Sequence, residues 1–315
     1  MRRKSILAFH NATAHNMPGL EVSETTIAAA ELAKFQVLAD SWWNADGAFS
    51  LLHQCNPVRI HYIRDQLAAH FSRDVMARQP FHGLSLLDIG CGGGLLAEPM
   101  ARLGFSVTGI DALDNNVQVA RTHAAGSDLP ITYRCTTVEI LKKENATFDA
   151  VLSMEVVEHV AKQSLFLTTA ATLVASGGMM IMATINRTLQ SLIFAKICAE
   201  YILRWLPIGT HDWQRFVRPS ELAEGLQRGG LTVLRVKGMS YAPFTGTWHL
   251  SHDNTINYFM VATRPSFAAG KEGRAKRDAL IVQKQPQHRH RTCYLSRPAL
   301  LCQKSRPAFC LESKP

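Results

Sequence analysis

The sequence predicts an α/β fold: a doubly wound, mostly parallel seven-stranded sheet with N-terminal helices in front and a disordered basic C-terminal tail behind. Three observations lead there. Short apolar runs alternate with segments of helical period through the middle of the chain. The first of these runs empties into a glycine cluster in "LLDIGCGGG". An acidic residue, Asp111, then closes the next run one βαβ unit later.

The elements follow in order. Over residues 25–43 apolar side chains recur at near-helical spacing, among them Ile27, Phe35, Leu38 and Trp42. In "CNPVRIHYIRDQLAAHF", Asn56 can cap a second helix, Pro57 suits its first turn, and Ile60, Ile63, Leu67 and Phe71 share one face. "LSLLDIG" is the first strand, 94–103 a helix, "SVTGID" the second strand, "NVQVARTHAA" a helix and "ITYRCTT" the third strand. "FDAVLSMEVVEHV" reads as a buried fourth strand ending in polar residues. "SLFLTTAATLVAS" reads as a helix stopped by Gly177-Gly178, ahead of a fifth strand, "MMIMATI". In 190–206, Lys196, Glu200 and Arg204 form a polar stripe among Leu192, Ile193, Ile197 and Leu203, the pattern of an amphipathic helix with a broad apolar face. "RPSELAEGLQRGG" is a helix with Ser220 as cap or first-turn residue and Gly229-Gly230 as its stop. "LTVLRVKGM" and "INYFMVATRP" supply the last two strands, an antiparallel pair closing the sheet. After Arg264 periodicity ceases, and disorder is expected.

Composition sets the boundaries. The chain has 315 residues and a formal charge of +9, but 265–315 holds 11 Lys/Arg against 3 Asp/Glu. The first 264 residues carry 23 against 22, so the folded part is near neutral and the basicity belongs to the tail. That balance, and the lack of an aromatic–basic module, speaks against a nucleic-acid partner. No apolar stretch reaches the roughly 20 residues that span a bilayer. Seven cysteines are scattered with no C-x-x-C pair, which points to a reducing compartment. The start, "MRRKSILAFHNATAHNMPGL", is basic and acid-free before Glu21. It has the composition of a mitochondrial targeting segment, and "ILAF" is too short for a secretory signal. The expected organisation is a targeting or flexible segment at 1–24, one domain at 25–264 and a tail at 265–315.

The glycine turn narrows the ligand. A dinucleotide fingerprint needs its third glycine at position 95, where Leu95 stands, and a P-loop needs Lys then Ser or Thr, where Leu95-Leu96 stand. What remains is G-x-G-x-G after a strand, with Gly90 and Gly92 allowing close backbone approach. Asp111, 21 residues after Gly90, occupies the place where a carboxylate receives two ribose hydroxyls. Asp88 can reach a methionine amino group through water. Together these point to S-adenosylmethionine.

At this point the chain resembles a known family. The glycine turn looks like motif I of class I methyltransferases, and "FDAVLSMEVVEHV" and "LVASGGMMIMATINR" look like the later motifs. The resemblance is closer to the O-methyltransferases of ubiquinone biosynthesis, carried by "WWNADGAFSLLHQCNPVRIHYI", "MEVVEHV", "INRTLQS", "GTHDWQRFVRPSEL", "GMSYAPFTGTWHL" and "NTINYFM". It spans about residues 30–264 and leaves out the tail. It implies cofactor contacts at Arg59, Gly90, Asp111 and Met154. Arg59 would offer a fork of donors to the methionine carboxylate. It also implies a Rossmann-like methyltransferase acting at both O-methylation steps on a polyprenylated catechol, possible membership of a multi-enzyme assembly, and a matrix-side inner-membrane or bacterial cytoplasmic location.

Methyl transfer to a catechol needs an oxygen made anionic by a base or a metal ion. Glu155, Glu158 and His159 stand at i, i+3 and i+4 and share a face if the stretch turns helical. They can hold a divalent cation, with magnesium favoured by oxygen-rich ligation, or His159 can act alone as general base. The resemblance also places a divalent cation on these three. Asn186, His211, Asp212 and Trp213 lie after strand five, where the acceptor would bind, and Glu139 near the adenine side. The apolar face of 190–206 is the expected site of peripheral membrane contact. Competing readings are a methyltransferase for another small phenol, and an RNA-binding tail.

Overall fold

Along the central strands, successive side chains enter two different cores. Met179, Ile181 and Ala183 go to one, Met180 and Met182 to the other; Ala150 and Leu152 alternate with Val151 in the same way. Period-2 geometry with helices on both faces turns each strand into a continuous apolar run. The computed structural model describes residues 25–193 and 212–266. The expected targeting segment, most of the 190–206 helix, His211 and the tail lie outside them.

Eight strands form one sheet: β1 (Ser85–Ile89), β2 (Ser106–Asp111), β3 (Ile131–Cys135), β4 (Phe148–Met154), β5 (Val174–Ile185), β6 (Thr232–Ala242), β7 (Thr247–Ser251) and β8 (Asn257–Thr263), in the order β3-β2-β1-β4-β5-β8-β6-β7. The first five in that order run parallel, and β8 is antiparallel to both β5 and β6. The α/β doubly wound prediction therefore holds, with one strand more than the seven counted. The addition, β7, pairs antiparallel to β6 as an edge strand. "TWHLS" escaped notice because an edge strand with mostly solvent-facing side chains has no buried run to reveal it.

The helices are α1 (Ala29–Gln36), α2 (Ser50–Phe71), α3 (Ala97–Arg102), α4 (Asp114–Ala124), α5 (Val138–Lys143), α6 (Gln163–Thr172), the single turn α7 (Leu189–Ser191) and α8 (Pro219–Arg228). α2, α3 and α4 pack on one face of the sheet with the Ile63, Leu67, Met100 and Val117 core, and α5, α6 and α8 on the other with Leu141, Phe166, Leu222 and Leu226.

Three local expectations are corrected. α2 starts at Ser50, so Pro57 is inside the helix and Asn56 is no cap. The Asn56 side chain instead donates to the Leu95 carbonyl at 2.9 Å, tying the helix to the glycine turn. Gly177-Gly178 does not stop α6, which ends at Thr172; both glycines lie within β5. A Cβ at Gly178 would stand 2.7 Å from the Asp149 carbonyl, so the close approach of β4 is what the glycine permits. Finally, α1 is shorter than the 25–43 periodicity implied and gives way to a 3-10 turn, Ala39–Ser41, ahead of the two tryptophans.

Candidate active site

β1 lies between β2 and β4, so the connections leaving its two neighbours diverge at its carboxyl end. Open α/β sheets bind ligands in the crevice such a switch point leaves. A cavity of about 340 Å³ occupies it, lined by Asp88, Gly90, Asp111, Met154, Glu155 and His159 from strand ends, by Arg59 from α2, and by Thr26, Ile27, Leu32 and Phe35 from the N-terminal strap. Trp248, Met239 and Ile256 line it as well.

The turn after β1 is held in a shape that glycine alone tolerates. Gly90 has φ 70°, and a Cβ there would meet Val156 at 2.5 Å; Gly92 has φ 52°, and a Cβ would meet the Trp42 ring at 2.4 Å. The Gly90 and Cys91 amides donate to the Ile110 carbonyl at 2.8 and 2.9 Å, so the turn is stitched to the end of β2. Asp111 continues the stitch: its carboxylate accepts from the Gly92 amide (3.0 Å), the Leu113 amide (2.8 Å) and Asn116 Nδ2 (3.3 Å). Trp42 Nε1 donates to Asn116 Oδ1 at 2.9 Å and Trp43 Nε1 to the Gly93 carbonyl at 2.9 Å, so two adjacent indoles clasp the turn. Gly92, expected at the cofactor, is not among the residues lining the cavity; it packs beneath Trp42 instead.

Electrostatically the cavity floor is acidic. Asp88 is 3% exposed, and burial, then the neighbouring Asp111 charge, pushes its pKa up to about 7. Burial also raises Asp111, against the amides that favour its charge. Several buried polar atoms on the wall have no hydrogen-bond partner among the described residues: Asp88 Oδ2, Arg59 Nε, Thr137 Oγ1 and Trp248 Nε1. Such groups are costly unless something fills the space between them. A carboxylate, a hydroxyl, a guanidinium and an indole N–H on one cavity wall fit a zwitterionic nucleoside such as S-adenosylmethionine.

The "MEVVEHV" trio departs from the expected geometry. Glu155 takes a left-handed φ of 51°, so a 3-10 turn begins only at Val157 and the three side chains do not share a helical face. Glu155 Oε1 pairs with Arg59 at 2.6 Å. Glu158 is 2% exposed, accepts from Thr184 Oγ1 at 2.8 Å and does not line the cavity. His159 Nδ1 meets Glu31 Oε2 at 2.9 Å. Among the described residues no group of three or more His, Cys, Asp or Glu side chains is arranged to hold a metal ion. The trio in this arrangement therefore does not fit magnesium, although Glu155 and His159 both face the cavity.

The other described candidates are engaged in hydrogen bonds of their own. Asn186 donates to the Asn254 carbonyl (2.9 Å), Asp212 caps its own turn at Gln214 (3.1 Å), and Trp213 donates to the Thr188 carbonyl (2.8 Å). Glu139 accepts from the Thr26 amide and hydroxyl at 3.1 and 2.6 Å, anchoring the strap rather than lining the cavity. Reading the sequence missed Glu31, Thr137 and Trp248, each a residue type common on ordinary surfaces and strands.

A methyltransferase-domain family model matches residues 87–182, the glycine turn through β5. The ubiquinone biosynthesis O-methyltransferase of Sinorhizobium medicae is 51% identical over 245 residues, covering 78% of this chain and 99% of that protein. The chain belongs to the ubiquinone biosynthesis O-methyltransferase family. A Caulobacter family member is 53% identical over 240 residues, 76% of this chain and 95% of its own. Among solved structures, the magnesium protoporphyrin IX methyltransferase of Synechocystis, with bound SAH, shares the Rossmann-like class I fold: TM-score 0.50, 19% identity, 73% of this chain and 99% of that one. Family membership makes the chain a methyltransferase.

Proposed function

We propose that the chain methylates a catechol hydroxyl of polyprenylated ubiquinone precursors at both O-methylation steps, with S-adenosylmethionine as donor and His159 as general base. The observation that carries this reading is one continuous cavity. The glycine turn, Asp88 and Asp111 form part of it; His159 and the apolar Ile27, Leu32, Phe35 and Met239 form the rest. As the oxygen–carbon bond forms, the carbon–sulfur bond breaks with its electron pair kept by sulfur, leaving S-adenosylhomocysteine. The hydroxyl proton passes to His159. Asp111 is assigned to the ribose hydroxyls, Gly90 and Met154 to backbone and apolar contact with the cofactor, and Asp88 to the methionine ammonium. Arg59 is assigned to the methionine carboxylate, in exchange for part of its pairing with Glu155. Alignment in a closed site supplies much of the rate, and proton removal adds on the order of 10²–10⁴-fold.

No step here passes through a metal ion. The test is a methyl-transfer assay on catechol and prenylated catechol acceptors, with and without chelator. We expect product from the prenylated acceptor and activity retained in excess chelator. Loss with chelator and rescue by magnesium, abolished in Glu158→Ala, would require the trio to rearrange around a cation. No product from either acceptor would remove the catechol assignment.

A prenylated substrate resides in a membrane. Among the described residues no helix is long and apolar enough to cross one. Contact is assigned to the segment 190–206, on the amphipathic pattern of its sequence. Leu189 and Ile193, at its described edge, are 69% and 46% exposed. The bacterial relatives favour the cytoplasmic face over a mitochondrial matrix location. A multi-enzyme ubiquinone assembly would suit handover of such substrates.

A further inference from the structure

Trp42 stands where three pieces of chain meet. Its ring stacks on Phe49, centroids 3.8 Å apart and 7° from parallel, and its carbonyl meets His53 Nε2 at 2.9 Å. Against the glycine turn it leaves no room for a side chain: a Cβ at Gly92 would stand 2.4 Å from its outer ring, and one at Gly93 2.5 Å from the Trp42 Cβ. The indole Nε1 reaches the third piece, the first turn of α4, where it donates to Asn116 Oδ1 at 2.9 Å. Asn116 is 3% exposed, and its Nδ2 donates in turn to Asp111 Oδ1 at 3.3 Å. Trp42, Asn116 and Asp111 all line the cavity.

This chain of bonds has a direction. An indole N–H can only donate, whereas a side-chain amide accepts at one end and donates at the other. Bonded to Trp42, the Asn116 amide turns its oxygen toward the indole, which leaves its NH2 for the carboxylate. Turned the other way, it would set an oxygen against Asp111 and an NH2 against an N–H, two unsatisfied contacts in a buried place. The Asp111 carboxylate is thereby held at both oxygens: Oδ1 by Asn116 and the Leu113 amide, Oδ2 by the Gly92 amide, in the same turn that Trp42 covers. We propose that Trp42 is a positioning residue for S-adenosylmethionine: its indole N–H sets the Asn116 amide, and through it the rotation of the Asp111 carboxylate toward the ribose hydroxyls. This rests on Asp111 being the ribose acceptor. It gives the N-terminal segment, outside the stretch matched by the methyltransferase-domain model, a part in holding the cofactor.

The test measures, by calorimetric titration, the affinities of S-adenosylhomocysteine and of its dideoxyribose analogue, which lacks both hydroxyls. Their ratio isolates what the hydroxyls contribute, because packing lost with the indole weakens both ligands alike and cancels. Trp42→Phe should shrink that ratio about fivefold, the worth of about one hydrogen bond. Asn116→Leu should shrink it as far, and combining the two should shrink it no further. A ratio unchanged in Trp42→Phe would overturn the proposal, whatever happens to the absolute affinities. A wild-type ratio near one, or an unchanged ratio in Asp111→Asn, would bring down the ribose assignment itself. Should the variants fail to fold, hydrogen exchange at the Trp42 indole of the wild-type chain decides. Slower exchange with S-adenosylhomocysteine than with the dideoxyribose analogue supports the relay, and equal slowing by both refutes it.

Discussion

Asp88 shows how far one residue's environment can depart from its composition. Burial beside Asp111 moves it up to about 7, from an ordinary carboxylate value near 4. Between those values the folded chain holds a proton that the unfolded chain has released, so stability falls as pH rises through that window. Thermal melts of the ligand-free protein should show a lower Tm at pH 8 than at pH 5, with a flatter profile in Asp88→Asn; matching slopes in the two proteins would contradict this. A bound cationic ligand reverses the preference, because an ammonium beside Asp88 favours the charged form. Asp88 was legible in the sequence because it ends an apolar strand just before the glycines, a position a carboxylate takes only for a reason. Glu31 was not: an acid on a helical repeat looks the same whether it faces water or a histidine over a hundred residues away. Nor was the direction of Glu155, since a left-handed backbone at a non-glycine residue leaves no trace in composition.

Secondary elements were easiest to read where both faces are covered, as in β1, β4 and β5, and hardest where one face is open, as in β7. α2 illustrates a subtler failure. Asn56-Pro57 has the look of a helix start, yet the helix runs through it because the Asn56 side chain is engaged elsewhere. That bond from α2 to the Leu95 carbonyl is the helix's polar tether to the loop that follows the glycine turn. Asn56→Ala should cost about 1 kcal/mol of stability and weaken S-adenosylmethionine binding by several-fold, because the turn loses a support and the cavity wall loses a polar side chain. Chemical denaturation alongside calorimetric titration would measure both. Unchanged affinity with reduced stability would show that the turn keeps its shape unaided, through the two tryptophans and Asp111.

Across the whole molecule, the sheet order and the placement of the cofactor wall follow from patterns a reader can find in the sequence, and the closing of the site does not. The strap joins the body through pairs distant along the chain: Thr26 with Glu139 are 113 residues apart, Glu31 with His159 128. Loop-closure entropy delays such contacts relative to neighbouring strands and helices. The order of refolding should therefore separate in time: far-UV circular dichroism, reporting sheet and helix, should recover before the fluorescence of Trp42 and Trp43, which settle only when the N-terminal segment docks. Simultaneous recovery would refute that order. During synthesis the same constraint has a biological meaning. The first-made helix waits for partners made much later, so a nascent chain cannot close this side of the cavity until His159 has emerged for Glu31 to meet. The wall contributed by the N-terminal strap is thereby completed only once about half of the chain has been made.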